Sequence, residues 1–542
     1  MGTRTESGVF ASARLISLCT LGSRVLGLAR DCLSAAVFGA GPVWDAFAFA
    51  FRIPNLLRRL FGEGALSAAF IPIFAEYLQR GDEAETGRVA GAVGGAVLAV
   101  LSVVLALCEM ICGGLLLSGV LPEKWHLAVT LTAVLLPYSL LICMTAYVAG
   151  VLQSLRHFAA PALAPVVLNL VWLAALWLSG PLFGGGPERR VYVLAGGILT
   201  AGLLQLGLQL RALRGRLRLR LRWEPGHEAL RRGLRRMGPI VLGLAVFQLN
   251  CLMDGVIAIG LSRPEGATGG LRLFGLSLAY PMEAGANSVL YYGDRLMQFP
   301  LGVFGIALAT ALFPTLSEHA ARRDWPGFSV SLREALGAVG FIGLPAGVGL
   351  MVLSRPTVAL LFERGAWTAV TTDRTAAVVV AYGLGVWAYC ALQVLVRAFY
   401  AVGDTVTPVR VSAAMVALNL TLNLCLVWPF GAAGMAGATA FCAALQVVWL
   451  TTILVRRGRL RLDGPLLGSL LRTAGGVLLM VPVCLVVARL LPAEGPGLGG
   501  RLLGVGGAIA AGAGAFLAVG LLTRNRALRV LLSEGLADRL GL

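Results

Sequence analysis

Charge is scarce in this chain, and lysine is almost missing. Only 13% of the 542 residues are charged, too few to coat a soluble protein of this length in polar surface. The 45 basic residues include one lysine, Lys124, so the net charge of +18 rests on arginine. Histidine is limited to His126, His157, His227 and His319, all near predicted loops, and the ten cysteines form no C-x-x-C pair. Cys108 and Cys112 are one helical turn apart, which suits helix packing better than metal ligation. Neither a metal centre nor a redox centre is visible. No Walker A loop, nucleophile elbow or kinase signature occurs, which argues against ATP-driven transport and against an enzyme. A cleavable signal peptide is not expected either, because the first apolar segment is long and no small-residue cleavage site follows a short core.

Long apolar runs are abundant instead. Mean hydropathy is +0.82, and apolar stretches of about 18 residues or more recur along the whole length. Fourteen spans are predicted, near 11–38, 44–78, 90–119, 127–154, 159–180, 191–213, 237–262, 288–316, 334–354, 376–402, 406–428, 433–455, 467–491 and 502–522. None alternates apolar and polar residues as a barrel strand would. The expected class is therefore an all-α polytopic membrane protein. Arginine placement sets its orientation. Ten arginines fall in Arg211–Arg236, four in Arg456–Arg461 and four in Arg524–Arg539, all on the side the two termini share. Opposite loops such as Gly39–Trp44 and Pro429–Gly434 carry few. The positive-inside rule then places both termini in the cytoplasm. It also accounts for the basic runs without a nucleic-acid partner.

A weak duplication organises the spans. FGEGALSAAFIPIFAEY from Phe61 is echoed by FGIALATALFPTLSEHA from Phe304, pairing Phe61 with Phe304, Pro72 with Pro314 and Glu76 with Glu318. YVAGVLQSLRHFAAPALAPVVLNL from Tyr147 is echoed by FYAVGDTVTPVRVSAAMVALNL, which puts Asn169 and Asn419 in equivalent places. Each echo is about six spans apart, an even number, so the repeats run parallel. The expected organisation is an N-lobe at 1–213, an arginine-rich cytoplasmic loop at 214–236, a C-lobe at 237–457, and two extra helices with a basic tail at 458–542.

Charges inside the first two spans point to function. Arg24, Arg30 and Asp31 lie in the first span, and Asp45, Arg52, Arg58, Arg59 and Glu63 in the second. Each costs roughly 2.5–3.5 kcal/mol at a helix centre in lipid, so such groups face a water-filled cavity or a partner in the bundle. Arg24 and Asp31 are two turns apart on one face, with Ser23 and Arg30 on the adjacent one. Arg52 and Arg59 are similarly spaced, Glu63 follows Arg59 by four, and Pro54 interrupts the helix between them. Arg58 lies on a different face from Arg52. Asn55 is a supporting polar residue. The second lobe repeats the theme once, with Asp294 and Arg295, and Arg295 aligns with Arg52. A cationic cavity implies an anionic substrate, and the planar arginine fork suits a diphosphate. Buried arginine–carboxylate pairs that fix helix register remain the alternative for any one residue.

SRVLGLARD, DAFAFAFRIPNLLRRLFGEGALSAAFIP, LYYGDRLMQFPLGVFGIALATALFPTLS and RAFYAVGDTVTP together resemble the MurJ (MviN) lipid II flippase family. That family belongs to the multidrug/oligosaccharidyl-lipid/polysaccharide exporter superfamily. The resemblance implies two six-helix lobes in a V, a groove for a polyprenyl tail formed by the last two spans, and no enzymatic activity. It implies that Ser23, Arg24, Arg30, Asp45, Arg58, Glu63 and Arg295 line a central cavity, with Asp31, Arg52, Arg59 and Asn55 in support. The implied partners are lipid II, membrane lipids and the cell-wall synthesis machinery, at a bacterial cytoplasmic membrane. No cofactor is expected beyond a monovalent cation. The family's sodium site finds its nearest matches in Asp254 and Asp404. Other readings are an exporter of another polyprenyl-linked glycan, a drug-cation pump, a lipid-diphosphate enzyme or a scaffold. The arginines oppose the pump, and the lack of clustered Asp or His opposes the enzyme.

Overall fold

The computed structural model describes residues 3–180, 184–217, 219–267, 269–273, 276–491 and 497–532. The first unit contains α1 (Thr3–Phe38), α2 (Pro42–Leu57), α3 (Leu66–Gln79), α4 (Glu83–Leu117), α5 (Glu123–Ser154), α6 (Ala159–Ser179), α7 (Pro187–Leu213) and α8 (Glu228–Gly260). In the second unit follow a small ribbon, β1 (Leu271–Leu273) and β2 (Leu276–Leu278), then α9 (Ala286–Pro300), α10 (Ile306–Ala321), α11 (Trp325–Val352) and α12 (Ser354–Phe362). The chain continues through α13 (Ala369–Gly383), α14 (Val386–Ala401), α15 (Val406–Arg456), α16 (Gly464–Leu490), α17 (Leu498–Leu522) and the short α18 (Arg526–Leu531). Local chemistry starts several of these helices. Asp82, Asp324 and Asp463 each accept a hydrogen bond from a backbone N–H of the first turn they cap, filling donors that a helix start otherwise leaves open.

Among the described residues nine helices are long and apolar enough to cross a membrane, ten with the bent α13–α14 pair taken as one span. The others expected from sequence are accounted for by their charges and by one merged helix. α15 is 51 residues long but leaves helical geometry at Gly431 (φ 56°), just after Pro429. Gln446 donates to Ser412 Oγ at 2.8 Å and Asn419 to Thr439 Oγ1 at 3.3 Å. Those pairs are symmetric about Pro429, so α15 is a hairpin of two antiparallel spans. The left-handed φ at its turn is one that glycine adopts without strain.

The duplication has a structural counterpart. Arg58–Ala65 and Leu301–Gly305 are π-helical, and they interrupt the second and eighth spans inside the matching FG segments. Each follows an in-helix proline, Pro54 or Pro300. Proline removes one N–H donor and crowds the carbonyl a turn back, which favours such a local widening. The glutamines Gln205 and Gln446 give a further echo. Gln205 donates to Ala164 O at 2.6 Å and so ties α7 to α6, as Gln446 ties the two arms of α15.

Compact units divide near residues 259–267, not at the arginine-rich loop. α8, the seventh span, packs with the first unit. Arg52 Nη1 donates to Cys251 O at 3.0 Å, Arg232 pairs with Glu76 at 3.3 Å, and Leu230 joins the core around Phe74, Tyr147 and Val151. The last two spans likewise belong to the second unit. α16 and α17 lie so close that a Cβ at Gly512 would overlap Cys484 Sγ, and Phe516 meets Phe341 of α11 at 4.7 Å. Small residues permit that approach where lipid gives no hydrophobic drive. The stretch before the eighth span holds the β-ribbon, with Leu271 opposite Leu278.

The arginine-rich connection is also ordered by glycine. Arg222 N donates to Gly91 O at 3.0 Å, and the carbonyls of Arg220 and Arg222 lie where a Cβ of Gly91 or Gly95 would sit. Gly95→Val is therefore expected to push this segment off α4. Limited trypsin digestion should then cut after Arg220 and Arg222 faster than in the parent protein. Equal cutting rates would show that the close approach is not needed.

Candidate functional site

The first unit assembles its polar site on α1, α2 and α6. An aromatic stack forms the floor: Phe38 on Trp44 at 5.2 Å, Trp44 on Phe47 at 4.8 Å, and Trp172 edge-on to Phe47 at 5.4 Å. Trp172 also donates from Nε1 to Ser34 Oγ at 3.1 Å. Its ring carries the Arg30 guanidinium, 4.6 Å from the centroid. Arg30 is 8% exposed and Asp31 7%. Arg30 donates from Nε and Nη2 to Asp31 Oδ1 at 3.0 and 2.8 Å, and from Nη1 to Asn169 Oδ1 at 3.1 Å. Asn169 in turn donates to the Ser23 carbonyl at 2.9 Å and to Ser23 Oγ at 3.3 Å.

This arrangement changes the role expected of Arg30. Sequence spacing placed Arg30 with Ser23 and Asp31 with Arg24 on cavity-facing sides. The structure instead closes Arg30 onto its neighbour Asp31 inside the unit, with guanidinium donors committed to Asp31 and Asn169. Burial of a charge is tolerated when its partner and hydrogen bonds are in place. Arg30 is thus the hub that holds α1 to α6. Arg24, two turns nearer the N-terminus on the same helix, is exposed. An arginine in a span does not face acyl chains at low cost, so its exposed position marks a wet or headgroup-level surface.

The remaining residues are spread over the second span and the second unit. Asp45 is buried in the first turn of α2, where a carboxylate complements the helix dipole. Arg52 is half-buried and spends one donor on the Cys251 carbonyl of α8, so part of its function is to hold the seventh span. Asn55 donates back to Phe51 O at 3.0 Å, within its own helix. Arg58 is half-buried and Arg59 exposed, both in the π-helical turn. Glu63 shares that turn, but its side chain lies outside the described residues. In the second unit Arg295 lies over the Tyr291 ring at 4.9 Å and donates to Tyr291 Oη at 3.1 Å. Gln298 donates to Asp294 next to it. Each unit thus seats one in-span arginine on an aromatic face, a contact that holds guanidinium without neutralising it.

Of the two carboxylates matched to a cation site, Asp404 is already engaged. Asp404 lies just before α15, accepting from Thr407 N at 2.9 Å and Thr407 Oγ1 at 2.6 Å, and pairs with Arg457 at 2.6 Å. Burial alone would raise that carboxyl, but the hydrogen bonds from Arg457 and Thr407 outweigh it and hold it at about 2. At neutral pH its charge is already balanced and its oxygens are used. Asp254 is half-buried on α8. Among the described residues no group of three or more His, Cys, Asp or Glu could hold a metal ion.

Two residues central to the site were missed as site residues from sequence, Asn169 and Trp172. The duplication singled out Asn169 as a repeat position without a role, and Trp172 follows it by three, on the same helical face.

The sequence matches the family described as lipid II flippase MurJ over residues 34–495. The chain belongs to the MurJ family. Members are flippases, transporters and not enzymes. The probable lipid II flippase MurJ of Vibrio cholerae is 34% identical over 456 residues, covering 81% of this chain and 81% of that protein. The lipid II flippase MurJ of Burkholderia cenocepacia is 34% identical over 466 residues, covering 83% and 84%. Among solved structures, a lipid II flippase MurJ in an inward closed conformation superimposes with a TM-score of 0.74 at 23% identity, covering 94% of this chain and 98% of that one. An inward-facing multidrug resistance MATE family transporter of the MOP superfamily gives 0.62 at 15% identity, covering 80% and 95%. The fold is that of the MOP superfamily, and this MurJ-family chain is a multi-pass inner-membrane protein.

Proposed function

We propose that this chain moves lipid II, a polyprenyl-diphosphate-linked peptidoglycan precursor, from the inner to the outer leaflet by alternating access. The observation that carries the reading is the pair of arginines on α1 with opposite surroundings. Arg30 is locked to Asp31, Asn169 and Trp172, which fixes the helix. Arg24 is displayed from that fixed helix, and with Arg58 it offers planar forks for a diphosphate. Arg295 is the corresponding cation of the second unit.

The membrane potential favours the loaded step. Moving one charge through 100 mV is worth about 2.3 kcal/mol, so a substrate with two negative charges gains roughly 5 kcal/mol on leaving a negative interior. Co-movement of protein positive charge reduces that gain. Complementation of a strain depleted of its own lipid II flippase tests the reading. Growth and normal cell shape support it. Lysis at normal protein abundance, with rescue by the strain's own flippase, refutes it.

The same reading sets the topology. Both termini and His227 are cytoplasmic, and Gly185 faces outward, as the arginine distribution requires. Single cysteines at 227 and 185 in a thiol-free background are expected to label from the inside and the outside respectively with a membrane-impermeant maleimide. Outside labelling at 227 would overturn the assignment.

A further inference from the structure

The connection from α7 to α8 alternates arginine and leucine from Arg216 to Arg222 and ends in Trp223. Where described, it is neither helix nor strand, and Leu219 N donates to Leu217 O at 3.1 Å. Leu217 and Leu219 pack against the core of the first unit. Leu219 and Leu221 wall an apolar cavity of about 160 Å³ with Leu98, Leu141, Met144 and Leu206. Arg216, Arg220 and Arg222 are exposed, as are Leu221 at the cavity's edge and Trp223, at 43% and 61%. Arg222 lies 3.8 Å from Glu224. Arg214 and Arg220 make no side-chain hydrogen bond or ion pair among the described residues.

Depth decides what this strap meets. It crosses α4 at Gly91 and Gly95, and no charged residue lies between Arg88 and Glu109. The crossing is thus within about two turns of where the uncharged span begins, the level of lipid headgroups. Exposed tryptophan belongs at the same level. Exposed guanidinium groups, those of Arg214 and Arg220 without a carboxylate partner among the described residues, beside an apolar cavity match the two ends of one amphiphile. Topology explains why arginine is on this side of the membrane, but not why leucine alternates with it or why a cavity lies beneath.

We propose that the strap and its cavity bind one anionic glycerophospholipid of the same leaflet, with its phosphate held by the exposed arginines, Arg214 and Arg220 among them, and an acyl chain in the cavity. This site is separate from the charged residues of the first two spans, and binding there does not depend on the transport reading. The test is native mass spectrometry of the full chain in detergent, titrated with phosphatidylglycerol or phosphatidylcholine. Phosphatidylglycerol is expected to bind at one site more tightly than phosphatidylcholine. Arg214→Gln/Arg220→Gln should weaken it by about fivefold for each arginine removed. Arg456→Gln/Arg526→Gln removes the same charge from exposed positions of the second unit and should leave that binding unchanged. Equal binding of the two lipids would overturn the proposal, as would equal losses in the two double variants, which would reveal bulk attraction only. Full displacement of the lipid by inorganic phosphate at millimolar concentration would also overturn it, because the cavity would then contribute nothing.

Discussion

Arg24→Ala is expected to abolish lipid II translocation while the protein still accumulates in the membrane at its normal level. Arg24 is exposed on α1, and surface substitutions away from buried networks usually change stability by no more than about 0.5 kcal/mol. The loss would therefore fall on substrate. Lysine should restore little, because a point charge cannot reproduce two parallel hydrogen bonds to a diphosphate. The measurement is complementation of a flippase-depleted strain, with the variant's abundance followed by immunoblot. Full growth on Arg24→Ala at normal abundance would remove this residue from the site.

Asp31→Ala should behave differently, as a failure of folding. It leaves the Arg30 guanidinium buried without the carboxylate that accepts two of its hydrogen bonds. Removing one partner of a buried pair costs about 3–5 kcal/mol, a large share of the roughly 5–15 kcal/mol that stabilises a typical domain. Thermal melting in detergent is expected to drop steeply, and steady-state abundance with it. The double variant Arg30→Met/Asp31→Leu separates structure from transport. Replacing both charges with apolar groups of similar volume is often neutral or stabilising, so melting should largely recover. If translocation recovers too, Arg30 acts only as a helix tie. If melting recovers and translocation does not, its charge also serves the substrate. A melting temperature for Asp31→Ala equal to that of the parent would contradict the buried pair itself.

These two predictions part company at a point the sequence could not resolve. Arg24 and Arg30 are alike on the chain, each in the same apolar segment and six residues apart. Periodicity gave faces, but a face has no meaning until its neighbour is known. Asn169 and Trp172, well over a hundred residues away, decide that Arg30 turns inward. Arg52 shows the same limit. Its spacing from Arg59 suggested a cavity residue, whereas its contact is the carbonyl of Cys251, about two hundred residues distant. Asp404 shows it once more, since the carboxylate matched to a cation site is taken by Arg457 and Thr407.

The sequence by itself determined that this is a helical membrane protein, roughly where its apolar spans lie, that its halves are duplicated, and which few residues carry charge into the first two of them. Those properties are one-dimensional. They follow from transfer energies and from a helix rise fixed by the backbone, and each can be read without knowing any long-range contact. Tertiary structure decided which of the buried charges are paired, that α8 packs with the first unit, that α15 folds back at Gly431, and that an arginine–leucine strap lies on the glycines of α4. These depend on residues far apart in the chain meeting at distances of a few ångströms. In a low-dielectric interior such contacts are worth several kcal/mol each, enough to override what spacing alone would predict.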